Sequence, residues 1–71
     1  MKRQWRNGPP PSIGWWPAST FQDEQSIRWW DGRYWSFYAY PEDTAKFAAG
    51  RAQLKVVSLT KLIQWTDRWW L

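Results

Sequence analysis

Ile27-Arg28-Trp29-Trp30-Asp31-Gly32-Arg33-Tyr34-Trp35-Ser36-Phe37-Tyr38 is the stretch whose reading decides the fold. Two aromatic, β-prone runs flank an Asp-Gly pair, the signature of a two-residue hairpin turn whose central residues both take positive φ. The turn predicts an antiparallel hairpin over 27–38, with Trp30 opposite Arg33, Trp29 opposite Tyr34, Arg28 opposite Trp35 and Ile27 opposite Ser36. One face then carries Ile27, Trp29, Tyr34, Ser36 and Tyr38, and is read as the core face. The other carries Arg28, Trp30, Arg33, Trp35 and Phe37. It sets guanidinium groups beside indoles, a cation–π arrangement suited to the wetter face.

Upstream, Ile13 to Ser19 is a short apolar stretch that Pro17 restricts to an edge strand. Residues 20–26 are mostly polar and read as a loop. Further upstream, Asn7-Gly8 is a turn signal, and Pro9, Pro10 and Pro11 impose polyproline II geometry. Residues 1–12 thus form a basic, Pro-rich extended arm, expected to lie against exposed indoles, and 13–71 form one small domain.

Downstream, Pro41-Glu42-Asp43-Thr44 opens a helix of about 42–52. Ala45, Ala48, Ala49 and Ala52 make one stripe of small residues along it, flat enough for close approach to a sheet. Residues 53–60 suit either a connection or a strand, and Leu62 to Thr66 reads as a terminal strand. The apolar ending Asp67-Arg68-Trp69-Trp70-Leu71 either docks on the sheet or joins a second copy. The fold class is small α+β: an antiparallel sheet of three to four strands, with the hairpin at its centre, packed with one short helix.

At 71 residues the chain is near the lower limit for unaided folding. Cysteine and histidine are absent, so there is no disulfide, no thiolate or imidazole metal site and no histidine base. Metal and cofactor are both expected to be none. The core must come from the nine tryptophans, most of which are therefore structural. The net charge of +4 is concentrated at Lys2, Arg3 and Arg6, and from Asn7 onward seven bases face six acids.

Catalytic residues are expected to be none. Asp23/Glu24 and Glu42/Asp43 are sequence-adjacent pairs in a loop and at a helix start, Asp31 belongs to its turn, and the serines have no histidine to activate them. No apolar run is long enough to span a membrane, and the basic N-terminus lacks the apolar stretch of a secretory signal. The expected location is the cytoplasm of a bacterial host.

A surplus of amphipathic aromatics without a catalytic set points to a non-enzymatic protein-binding module. Arg28, Trp30, Arg33 and Trp35 are its expected contact face. The alternative is single-stranded nucleic-acid binding, with Trp30 and Trp35 stacking on bases and the arm residues Lys2, Arg3 and Arg6 on phosphates. Self-association through Trp69, Trp70 and Leu71 is a third reading.

The run Asn7-Gly8-Pro9-Pro10-Pro11-Ser12-Ile13-Gly14-Trp15-Trp16-Pro17-Ala18-Ser19, followed by Arg28-Trp29-Trp30-Asp31-Gly32-Arg33-Tyr34-Trp35-Ser36, resembles a group of small uncharacterised tryptophan-rich proteins encoded by tailed phages and prophages. Tyr40-Pro41-Glu42 and Gln64-Trp65-Thr66-Asp67 are similar to the same group. The piece from Arg28 to Trp35 is also similar to a short bacterial domain of unknown function with an Arg-Trp-Trp-Asp-Gly-x-x-Trp motif, from whose pattern Pro17-Ala18-Ser19 departs. The phage resemblance implies a source and a size class and carries no activity or functional residues; the partner expected for the binding module is a host or phage protein.

Overall fold

The computed structural model describes residues 3–70, so Lys2 and Leu71 lie outside the described residues. Three strands form one antiparallel sheet: β1 (Gly14–Ser19), β2 (Ile27–Trp30) and β3 (Gln64–Trp65), in the order β2-β1-β3. One helix, α1 (Ala45–Ala52), follows β2, and a 3-10 helix over Val57–Leu62 leads into β3. This is the small α+β class that the sequence predicts.

β1 is the central strand, where Pro17 had predicted an edge. The reason lies in which way each backbone group points. Ala18 N–H donates to the Ser26 carbonyl, so the donors of alternate residues face β2 and the nitrogen of Pro17 faces β3. There the ladder is only two pairs long, Ala18 with Trp65 and Ser19 with Gln64. Pro17 serves as an acceptor instead, taking the Thr66 N–H at 3.0 Å. A proline is tolerated inside a sheet wherever its missing donor meets no required partner.

The reversal after β2 is a hairpin, with a register different from the predicted one. Trp30 pairs with Trp35, not Arg33, and Asp31 to Tyr34 form a four-residue loop. The Asp31 carboxylate causes this. Its Oδ1 accepts the N–H of Arg33 at 2.8 Å and of Tyr34 at 2.7 Å. Such a side-chain turn needs only one left-handed residue, and Gly32 supplies it with φ +101°. Burial pushes the Asp31 carboxyl up. The Tyr34 and Arg33 N–H bonds and Lys55, 3.5 Å away, outweigh burial and hold it below its ordinary value.

Farther along, Ile27 and Ala39 exchange both backbone hydrogen bonds at 2.8 Å. Three residues, Ser36 to Tyr38, therefore oppose Arg28 and Trp29, which makes a bulge. The buried Ser36 hydroxyl fills the gap by accepting the Trp29 N–H and donating to the Phe37 carbonyl. Segment 35–37 is held on its other side by Phe37 N–H to the Leu54 carbonyl and Val56 N–H to the Trp35 carbonyl.

α1 begins at Ala45, with Thr44 as the cap accepting the Phe47 N–H, so Pro41 to Asp43 form a preceding turn. It ends at Ala52, as the sequence predicts. No residue of α1 is buried, so the alanine stripe does not pack closely on the sheet as predicted.

Candidate functional site

The pairing of β1 with β2 puts the tryptophan core on the face predicted to be the wetter one. Cross-strand partners share a face, so Gly14/Trp30 and Trp16/Arg28 lie on one side and Trp15/Trp29 on the other. The first side is the core. Trp16, Ala18, Trp30, Trp35, Val56, Ile63 and Trp65 form one buried cluster. Trp16 meets Trp65 edge-on at 5.2 Å, and Trp30 meets Trp35 at 5.0 Å.

Of the four residues predicted to make the contact face, three are therefore buried. Trp30 is 7%, Trp35 1% and Arg28 8% exposed. Only Arg33 is exposed, on the loop after β2. The physical cause is cross-strand geometry. Gly14 opposite Trp30 leaves room for an indole, and Trp16, two residues along, extends the same apolar surface toward Trp65. The expected cation–π pairs change with the register: Arg28 lies over Tyr38 at 5.9 Å and Arg33 over Tyr34 at 5.5 Å.

The N-terminal segment covers this core rather than trailing from it. Arg6 exchanges both backbone hydrogen bonds with Trp65, at 2.8 and 3.0 Å, and its guanidinium lies 5.1 Å from that indole. Thr66 donates its hydroxyl to the Gln4 carbonyl. Pro10 is buried, and Pro9 walls a recess beside Trp30 and Trp35. The arm's described cations are paired, Arg3 with Glu24 at 3.1 Å and Arg6 with Asp67 at 3.0 Å. The nucleic-acid alternative thus has its two stacking rings in the core and these two bases beside acids.

The C-terminal segment docks on the sheet. Arg68 donates to the Trp15 carbonyl at 2.8 Å and lies 3.9 Å from the centre of the Trp16 ring. Gly14, at φ +141°, permits this, because a Cβ there would meet the Arg68 guanidinium at 2.9 Å. Trp69 donates its indole N–H to the Glu24 carbonyl, and Trp70 shares a recess with Trp15, Ile27 and Pro41. Both rings remain more than a third exposed.

The open aromatic surface is on the opposite side of the sheet. Trp15 and Trp29, adjacent partners on β1 and β2, meet edge-on at 5.5 Å and are half-buried. Across from them stand Ala45, Ala48, Ala49 and Ala52 of α1. Between helix and indoles lies a cleft of about 600 Å³, with Lys55 also on its wall. Its walls are flat rings on one side and methyl groups on the other. Sequence reasoning named both halves, the alanine stripe and Trp29, but assigned each to the closed core.

Among the described residues, no three histidine, cysteine or acidic side chains gather as a metal site, and no helix is long and apolar enough to cross a membrane. No family model, curated protein or solved structure matches this chain.

Proposed function

We propose that this chain is a non-enzymatic protein-binding module whose contact surface is the cleft between α1 and the Trp15–Trp29 pair. One observation carries the reading: an eight-residue helix buries none of its residues and turns an alanine stripe toward two half-buried indoles. A helix this short is marginal by itself and draws its stability from packing. A partner that fills the cleft supplies the missing contact.

The occupant is an apolar segment of another protein with bulky side chains. Methyl walls leave depth for such side chains, and tryptophan is enriched among residues that dominate interface energetics. A cleft of about 600 Å³ is in the range that holds a few large groups. The phage and prophage resemblance supports a host or phage protein as the partner, in the cytoplasm of a bacterial host.

Ala49 is exposed, so Ala49→Arg should change stability by no more than about 0.5 kcal/mol. It places a long cation in the cleft. Affinity capture from bacterial lysate, run side by side, should yield a protein that the native chain retains and the variant loses. That protein, once purified, should bind the variant at least about tenfold more weakly, a loss of about 1.4 kcal/mol, because a cation in the cleft must be desolvated or displaced. Equal retention by both chains, or no protein retained by the native chain, contradicts the assignment.

A further inference from the structure

A second recess lies beyond the other end of β2, away from the cleft. About 240 Å³ in volume, it is lined by Arg28 with Ser19, Asp23, Ser26, Tyr38 and Tyr40. Its unusual member is Arg28. The side chain is 8% exposed, and among the described residues no carboxylate pairs with it. A buried cation without a counter-ion is costly, and burial accordingly lowers its proton affinity from the ordinary arginine range.

The hydrogen bonding of Arg28 is one-sided. Nη1 donates to the Ser36 carbonyl at 2.9 Å, whereas Nε–H is buried without an acceptor. In a planar guanidinium, Nε–H and one Nη2–H point the same way and form the edge that matches the two oxygens of a carboxylate. That edge has no protein oxygen among the described residues.

We propose that this recess binds a singly charged carboxylate carried on a compact apolar body, held side-on by the Nε/Nη2 edge of Arg28. The apolar body is argued from the walls, since Tyr38 and Tyr40 meet edge-on at 5.6 Å beside the guanidinium and Phe21 completes the lining. The size limit is the recess itself, the space of about eight waters. The single charge is argued from Asp23, a residue of the same lining, whose negative charge repels a dianion more strongly than a monoanion. The Gln25 N–H donates to Asp23 Oδ1 at 3.0 Å, and among the described residues Asp23 makes no ion pair with Arg28.

Benzoate is a suitable probe. In ¹⁵N-resolved NMR of the native chain, benzoate should shift the Arg28 Nε–H resonance saturably. Neutral benzamide should leave it in place, and inorganic phosphate should bind more weakly than benzoate. Asp23→Asn keeps an acceptor for Gln25 and removes the opposing charge, so it should tighten benzoate binding by about threefold to tenfold. Arg28→Lys keeps the charge but lacks the two-donor edge, and where it folds it should lose most of the affinity. The proposal is overturned if benzoate at tens of millimolar leaves the native Nε–H resonance unmoved, if benzamide binds equally well, or if Asp23→Asn binds benzoate no tighter.

Discussion

Replacing Trp35 with alanine should unfold this protein. Its ring is 1% exposed and lies against Trp30 within the central cluster. Deleting a buried tryptophan side chain costs about 3–5 kcal/mol, and a core of this size seldom supplies more than that in total. Two backbone contacts go with the ring's position, Val56 N–H to the Trp35 carbonyl and Trp35 N–H to the Thr60 hydroxyl. The 35–37 segment and the 3-10 helix should therefore loosen together. Far-UV circular dichroism and urea titration measure this directly. A cooperative transition with a midpoint close to that of the native chain would place the indole outside the core.

The second large effect is expected from the N-terminus. Removing residues 1–11 deletes the Arg6–Trp65 pairing, the Gln4 carbonyl that Thr66 bonds, the Pro9 ring beside Trp30 and Trp35, and the buried Pro10. Three hydrogen bonds at about 1 kcal/mol each, plus the apolar cover, give a loss on the order of 3 kcal/mol or more. Neutralising the cations alone is a different experiment. Arg3 and Arg6 sit in partly exposed ion pairs, and such pairs contribute only about 0–1 kcal/mol. Arg3→Gln and Arg6→Gln should thus leave the urea midpoint nearly unchanged, whereas the truncation should lower it sharply. A truncated chain as stable as the native one would show that the segment is a solvated appendage.

Local signals carried the fold a good way. The aromatic runs around Asp31-Gly32 do reverse in a hairpin, residues 20–26 do form a loop, and the alanine-rich stretch is helical. What the residues did not reveal was long-range. Asp31 was read as half of a turn dipeptide, but its carboxylate caps two backbone donors and lengthens the loop, which shifts the register. A shift of two residues keeps each side chain on its face, so Trp30 and Trp35 still share one side. That side is the core because β1 packs Gly14 opposite Trp30 and Trp16 beside it, pairings that the hairpin alone does not show. Pro17 pointed to an edge because the direction of its missing donor depends on β3, a partner more than forty residues away.

The proposed contact surface was legible only in its parts. A stripe of alanines and a pair of indoles each suggest packing, and nothing in the sequence says that the two stop short of each other. The gap shows only in the structure, where α1 has eight residues, fewer than the 42–52 that the sequence predicts, and buries none of them. Arg28, which the sequence places on an exposed contact face, is instead buried, with an Nε–H that has no acceptor.

The central claim is a division of labour among the tryptophans, with Trp16, Trp30, Trp35 and Trp65 closing the core and Trp15 and Trp29 lining an open cleft. Photochemically induced nuclear polarisation tests it in one experiment, because only indoles reached by a dye in solution are enhanced. Enhanced signals are expected from Trp15, Trp29, Trp69 and Trp70, and none from Trp30 or Trp35 in the native state. Strong enhancement of Trp30 and Trp35, with Trp15 and Trp29 silent, would contradict it.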